Sequence, residues 1–516
     1  MYRLFENATE IEGPLQGNVK GCLPEWLHGS LYRNGPGMYE VGEEKMLHWF
    51  DGMACLQRFE IRNGGATYMR KYIQSDTYHQ SLSMNRIVNT EFGTYADYVD
   101  PCKKIYEKIN TYYIPKTDNT SVTVWPLGDR MYVSSETNVS NEVDPKTLET
   151  VGKLDISKTL KLDAAAAHPH WETDGTVHFI GYTYTAHPCY CLYKIPGQPG
   201  GAMDISQARV MSSIKCKWPL FPSYYHSFAM TKNFYVFVEQ PFVLNLTKVV
   251  SMVKNKNAII DCMDFRPMNK TVFHIVDRHT GEKINSDFVY QTDPMFFFHH
   301  ANMYQEGSNL VLDLCSFRDA RIIRLLYLKD LEKESFQDTK SCDEIKTCRL
   351  RRFVLPLNVS TETPMNENLL NLQGCRATAV RKTDKNIFMT SEQMYNEGFE
   401  FPQINYGKYN GKKYRHLYGY SVFKSGQQAL VKIDMHTKEN KTWSEESCHP
   451  SEPIFVPRPG GKDEDDGVVL SAINSSTDGK YAFLLVLDAK TFTECARVEF
   501  PDIRFLRDLH GLFRPH

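Results

Sequence analysis

Apolar and aromatic residues fall along this chain in short runs separated by turn formers. TVHFIGYTYTA (176–186), NFYVFVEQ (233–240), NLVLDLCSF (309–317) and YAFLLVLDAK (481–490) are of this kind. They are bounded by TDG (173–175), EGSN (306–309) and TDGK (477–480), stretches that favour tight turns. β-Branched and aromatic side chains fit a pleated surface, so each run predicts a strand. Helical periodicity shows in one place, RIIRLLYLKDLEKESF (321–336), which predicts a helix.

Short strands recurring over the whole length predict an all-β protein: a sandwich, a barrel or a propeller. The 516 residues would divide by length alone into about three domains, but large all-β chains break that rule. With no linker in view, this much strand exceeds one sandwich. A propeller of about seven four-stranded blades absorbs it as a single domain over residues 1–516. No repeat of WD or kelch type is visible, so periodicity alone leaves the blade count open. The stretch DYVDPCKKIYEKINTYYIPK (97–116) mixes aromatics, lysines and prolines without a strand pattern and reads as an excursion from the scaffold. GGKDEDDGVV (460–469) reads as an acidic surface turn.

Composition narrows the picture. Lys+Arg number 60 against 62 Asp+Glu, a net charge of −2, which argues against nucleic acid as the main partner. Thirteen cysteines form no CxxC pair, and the N-terminal MYRLFENATEIEGPLQ has no apolar core and carries Glu6, Glu10 and Glu12. Neither secretion nor mitochondrial import is expected, and the thiols are expected free in a reducing, cytoplasmic compartment. No apolar run reaches the ~18 residues that cross a bilayer, so any membrane contact is expected to be peripheral. Aromatics at 12% suit strands and equally a cavity for an apolar ligand.

Of 17 histidines, most sit in polar turns, as His279 and His436 do. Four do not: His168 in AAAAHPHWETDG, His226 in FPSYYHSFAM, His299 in MFFFHHANMY and His510 in RDLHGLFRPH. Taken singly, each reads as a core imidazole with satisfied hydrogen bonds, and their wide separation carries no local ligand signature. In a closed propeller, however, successive blades can bring such positions to one axis, where a His-only site suits zinc or iron. Metal-bound imidazoles pass their second N–H to a carboxylate or carbonyl. Glu136 in YVSSETNVS, Glu400 in GFEFPQINY and Glu452 in HPSEPIFVP lie in strand-like or proline-fixed surroundings, where a lone carboxylate needs a cation or an N–H donor. An ordinary ion pair or strand-end cap explains any one of them; three beside four such histidines shift the balance toward a metal site.

These residues also carry a resemblance. LPEWLHGSLYRNGPGMYEVG, HWFDGMACLQRF, DPCKKIY, SSETN, AHPHWETDGTV, PSYYHSF, FFFHHAN, RRFVLPLNV, FEFPQINY, PSEPIFVPRPG and DLHGLF occur in that order over nearly the whole chain. The chain resembles the carotenoid cleavage oxygenase family, most closely its animal branch of carotene-cleaving dioxygenases and the retinoid isomerohydrolase of the retinal pigment epithelium. The resemblance implies a seven-bladed β-propeller with the metal on its axis and loop and helical excursions capping one face. The metal implied is non-haem Fe(II), held by His168, His226, His299 and His510, with His170 and His300 as neighbours only. Glu136, Glu400 and Glu452 are implied to orient His226, His299 and His510 respectively, and His168 has no such partner. All seven positions are intact, which speaks against a third reading, a non-catalytic carotenoid- or retinoid-binding protein.

The implied reaction is oxidative scission of a polyene double bond by O2 into two carbonyls. Both oxygen atoms end in product, so no reductant is needed, and no dinucleotide fingerprint or P-loop is seen. The implied substrate is a carotenoid or apo-carotenoid, cleaved centrally (15,15′) to retinal or eccentrically (9′,10′) to an apo-carotenal and an ionone. Motif context lies nearer the cleavers than the competing reading, a retinyl ester isomerohydrolase, and does not choose between the two bonds. A rigid apolar polyene needs an aromatic tunnel. Tyr224, Tyr225, Phe296, Phe297 and Phe298 flank the proposed ligands, and strand alternation turns about half of such residues into the blades. DPCKKIY resembles the family's membrane-facing segment, with Cys102 as a candidate for acylation or membrane contact, though a plain surface loop fits equally.

Overall fold

A computed structural model describes residues 5–97, 117–184, 188–198, 204–332, 340–475 and 481–516. Cys102 and most of the 97–116 excursion lie outside the described residues. Seven antiparallel sheets, one of them extended by a parallel pair, are built in chain order around one axis, forming a seven-bladed propeller. We number them from the first strand. Blade 1 pairs 11–16, 65–72, 53–62 and 29–38 with 510–515; blade 2 spans 123–155 and blade 3 spans 164–215. Blade 4 runs from 229 to 292 and is extended by 378–390 through the parallel pairing Val289↔Asn386; blade 5 covers 296–356 with 392–393. Blade 6 spans 398–443, and blade 7 spans 448–501 with 18–21. The ring closes without a covalent link: Asn34↔His510 and Gly29↔Pro515 bound the seam between residues from opposite ends of the sequence.

Packing between blades explains the hydrophobic pattern. A middle strand is covered by a neighbouring blade on each face, so Tyr481–Asp488 and Asn309–Phe317 are apolar on both sides and buried almost throughout. Outer strands meet solvent: no residue of Thr150–Asp155 is buried, and Asn440–Trp443 is largely polar and exposed. Distinct apolar clusters sit between blades, such as Val236, Phe273, Phe297, Leu312 and Ile387 between blades 4 and 5.

One face carries a cap. Segments Leu246–Val250, Met252–Asn255, Arg321–Leu325 and Leu328–Leu331 are short helices whose apolar residues join Trp49, Phe296 and Phe298 in the largest core cluster. In the described part of the helix expected over 321–336, residues 321–332, there are two helices, because another partner takes the backbone groups at the break; residues 333–336 lie outside the described residues. Trp49 N–H donates to the Leu326 carbonyl (3.0 Å) and Leu328 N–H donates to the Leu47 carbonyl (2.8 Å). No helix among the described residues is long and apolar enough to cross a membrane.

Candidate metal centre

Each blade delivers one residue to the axis: His510 from blade 1, Glu136 from blade 2, His168 from blade 3, His226 at the entry to blade 4, His299 from blade 5, Glu400 from blade 6 and Glu452 from blade 7. Local sequence explains each placement. The buried small residues Ala164–Ala167 let the inner edge of blade 3 approach the axis before His168. His299 lies where the strand Phe296–Glu306 slips register twice against its partner, between Phe297 and His300 and between His300 and Asn302. Such bulges re-aim side chains, and here they put His299 on the axial side beside Phe298.

The four Nε2 atoms form a closed circuit. His168 to His226 is 2.9 Å, His226 to His299 is 3.2 Å, His299 to His510 is 3.2 Å and His510 to His168 is 3.1 Å. All four lie within 4.8 Å of one another. The far side of three rings is held by carboxylates: His226 Nδ1 to Glu136 at 2.5 Å, His299 Nδ1 to Glu400 at 2.6 Å and His510 Nδ1 to Glu452 at 2.9 Å. A proton on each of those Nδ1 atoms leaves Nε2 as a bare lone pair. At most the single proton of His168 remains for the whole circuit, so the contacts are not a set of hydrogen bonds; facing lone pairs repel unless a cation lies among them. Two metal–imidazole bonds of ~2.1 Å at right angles hold their nitrogens about 3.0 Å apart, and the circuit has that spacing. The donor set therefore fits a divalent metal of imidazole preference.

Electrostatics agree. Burial, reinforced by the neighbouring imidazoles, pushes His168 and His510 well below the usual histidine range, so both are neutral at pH 7. Burial alone would raise Glu136, but His226 and the Tyr224 hydroxyl (2.9 Å) outweigh it and hold the carboxyl below its ordinary value. Glu400 accepts the Phe401 N–H (3.0 Å), and Glu452 accepts from Gln403 (2.9 Å), Gly511 N–H (2.8 Å) and Arg33 (2.8 Å). Neutral imidazoles inside and carboxylates outside leave a net negative site for a cation to offset.

The remaining candidates divide. Phe298 stands 5.6 Å from the His226 ring, and Phe296 and Tyr224 pack on the same side, within the cap cluster. Tyr225 and Phe297 turn the other way, into the interblade cores with Tyr190 and Phe237 and with Phe273 and Leu312. Alternation takes these two out of the lining. His170 binds Tyr406 and the Phe228 carbonyl, and His300 binds Ser227, so neither joins the circuit. His168 has no carboxylate partner among the described residues.

Two further residues, which the sequence marks only weakly, shape the site. Phe401 follows Glu400 at a register slip, with φ +53°, and its ring lies 5.5 Å from His299 and 5.3 Å from His510. Its one sequence signal was adjacency to a candidate glutamate. Arg33 is fully buried behind Glu452, and a charge inside the apolar stretch SLYRNG was the available signal.

The family model described as retinal pigment epithelial membrane protein matches residues 4–515. The β,β-carotene 15,15′-dioxygenase of Mus musculus is 42% identical over 522 residues, covering 99% of this chain and 91% of the mouse protein. The mitochondrial carotenoid-cleaving dioxygenase of Mustela putorius furo is 39% identical over 523 residues, covering 99% and 95%. An apocarotenoid oxygenase of Synechocystis, solved as a variant, shares the fold with a TM-score of 0.76 at 20% identity, covering 99% of this chain and 98% of that one.

Proposed function

The chain belongs to the family of the retinal pigment epithelial membrane protein, and from that premise we propose that it is an Fe(II)-dependent dioxygenase that splits one double bond of a carotenoid into two carbonyl products. The observation that carries this reading is the circuit of four Nε2 atoms on the propeller axis. Full-length identity to proteins named as carotene and carotenoid dioxygenases supports the substrate class and the use of O2. Iron is favoured over zinc because zinc has no redox chemistry to offer O2. When bound, Fe(II) supplies the activation of O2 that an electron-rich double bond alone does not.

The protein's own groups do the rest. Glu136, Glu400 and Glu452 keep a proton on each Nδ1, which fixes the tautomer that aims Nε2 at the axis, and their charge offsets the cation. Phe298 and Phe401 wall the cluster, and with Tyr224 they offer an apolar, aromatic face on which a polyene can lie with water excluded, while the fully buried Phe296 backs Phe298 from the core. A cytoplasmic setting with peripheral membrane contact belongs to the same reading; the unpaired state of the described cysteines supports a reducing compartment.

The test is cleavage of β-carotene by the iron-loaded protein under 18O2, quenched before aldehydes exchange with water. Label in both products is expected. Two retinals per carotene mean central cleavage, whereas an apo-carotenal with an ionone means eccentric cleavage. Label in neither product, or turnover of a retinyl ester undiminished without O2, rejects the dioxygenase in favour of the isomerohydrolase.

A further inference from the structure

Arg33 sits on the strand Gly29–Met38 of blade 1, with no exposed surface. All five of its N–H groups find acceptors. Nε and Nη2 fork onto the Asp508 carboxylate at 3.1 and 2.6 Å, and Nη2 also reaches the Leu509 carbonyl at 3.3 Å. Nη1 donates to the Glu452 carboxylate at 2.8 Å and to the Glu452 carbonyl at 3.4 Å. Asp508 and Leu509 immediately precede His510, and Glu452 holds His510 Nδ1. One guanidinium thus grips both the backbone leading into the fourth imidazole and that imidazole's hydrogen-bond partner.

Neither of the other glutamates has a side-chain cation behind it among the described residues, and the reason lies in the topology. His168, His226 and His299 are delivered by chain continuous with the rest of their blades. His510 opens the strand that closes the ring and is joined to blade 1 by hydrogen bonds alone. Glu452 comes from blade 7, so Arg33 spans the closure of the propeller. The motifs interlock there without slack. A Cβ on Gly511 would stand 2.6 Å from Arg33 Nη1, and one on Gly35 would stand 2.5 Å from the Asp508 Cα. Charge does not explain the arrangement: Glu452, Arg33 and Asp508 together carry −1, as Glu136 or Glu400 does alone. What Arg33 and Asp508 add is position, the role in which buried ion networks are best attested.

We propose that Arg33 is a positioning residue which, through Glu452 and Asp508, fixes the ring of His510, so that the fourth imidazole is presented to the metal only when the propeller is closed. The inference rests on reading the histidine cluster as a metal site.

Co(II) titration of the full-length apo-protein tests it without turnover, reading the d–d absorption for ligand number and chelator competition for affinity. Arg33→Met should weaken Co(II) binding ~10–100-fold and give the spectrum of His510→Ala. Arg33→Lys, which keeps the charge but cannot fork onto one carboxylate while holding the other, should fall between Met and wild type. A purely structural Arg33 would lower the melting temperature of its variants and leave the spectrum of the folded protein unchanged. Folded Arg33→Met with wild-type spectrum and affinity overturns the proposal. If that variant does not fold, the same result in Arg33→Lys and Asp508→Asn overturns it. Wild-type protein that takes up no Co(II) would instead remove the metal reading, and this inference with it.

Discussion

His299 and His300 are neighbours on one strand with opposite surroundings. His299 Nε2 belongs to the circuit, and its Nδ1 meets Glu400. His300 Nδ1 meets Ser227, whose hydroxyl also accepts the His300 N–H and donates to the Phe298 carbonyl. His299→Ala should therefore lose both iron and turnover, whereas His300→Ala should keep its iron and lose far less activity. Metal analysis of the purified variants decides it, and a His299→Ala protein with full iron and normal rate contradicts the assignment. Glutamine at 136, 400 or 452 keeps the size of the carboxylate and an acceptor oxygen but not the charge. Each such variant should retain measurable iron with a rate or metal affinity ~10–100-fold lower. Wild-type behaviour in all three would remove the orienting role.

Among the elements, the strand Gly398–Gln403 is where regular pairing gives way to the site. Glu400 faces Tyr420 but Gln403 faces Tyr418, so one residue is extra, and Phe401 absorbs it in a left-handed conformation. A bulky side chain at positive φ costs about 1–2 kcal/mol, and strain of this kind collects at functional sites. Here it turns the Phe401 ring onto His299 and His510 and its N–H onto Glu400. Phe401→Gly should accordingly be more stable than Phe401→Ala by about 1 kcal/mol, the reverse of their usual order within a strand. Both should lose turnover, because both lose the ring. Chemical denaturation of the two variants measures the difference, and an alanine variant as stable as the glycine variant contradicts the strain.

At the scale of the whole molecule, buried neutral imidazoles tie the ring and its cap together and make stability depend on pH. His48 Nε2–H donates to the Ile323 carbonyl (2.8 Å), while its Nδ1 accepts the Phe50 N–H (3.2 Å), an arrangement that suits only the neutral ring. Burial pushes His48 down to about 4, His416 to about 4 and His449 to about 3. These folded values lie below that of the unfolded chain (~6.5). Their contribution is thus complete above that pH and is lost as pH falls toward the folded values. Each ring removes up to about 1.4 kcal/mol per pH unit in that window. Carboxyls that burial raises, Asp51 to about 6 and Glu91, Glu344, Glu452 and Glu464 above their ordinary values, work in the opposite sense. The histidines that burial holds low, His170, His178 and His300 beside His48, His416 and His449, outnumber them. The melting temperature should fall between pH 7.5 and pH 5, with a shallower slope in His48→Gln. A flat profile would contradict the neutral reading of these rings.

The strands, the turns that bound them and the seven candidate side chains were legible in the sequence, because each rests on local pattern: runs of β-branched and aromatic residues, breaker residues, and histidine or glutamate among apolar neighbours. The resemblance added blade count and iron. What the tertiary structure alone decided is convergence. His168 and His510 lie 342 positions apart and touch only because seven blades close into a ring. That His299 and not His300 faces the cluster, and that Phe401 joins it, depended on bulges that break strict alternation at 297–302 and 400–403, and the described part of the helix expected at 321–336 broke because residues 47–49 took its backbone groups. Arg33 reads in the chain as an odd charge in an apolar strand; its meaning appears when Glu452 and Asp508, each more than four hundred positions away, are brought to either side of it. Local rules set where the chain runs straight and where it turns, and closure of the ring set which of its polar groups meet.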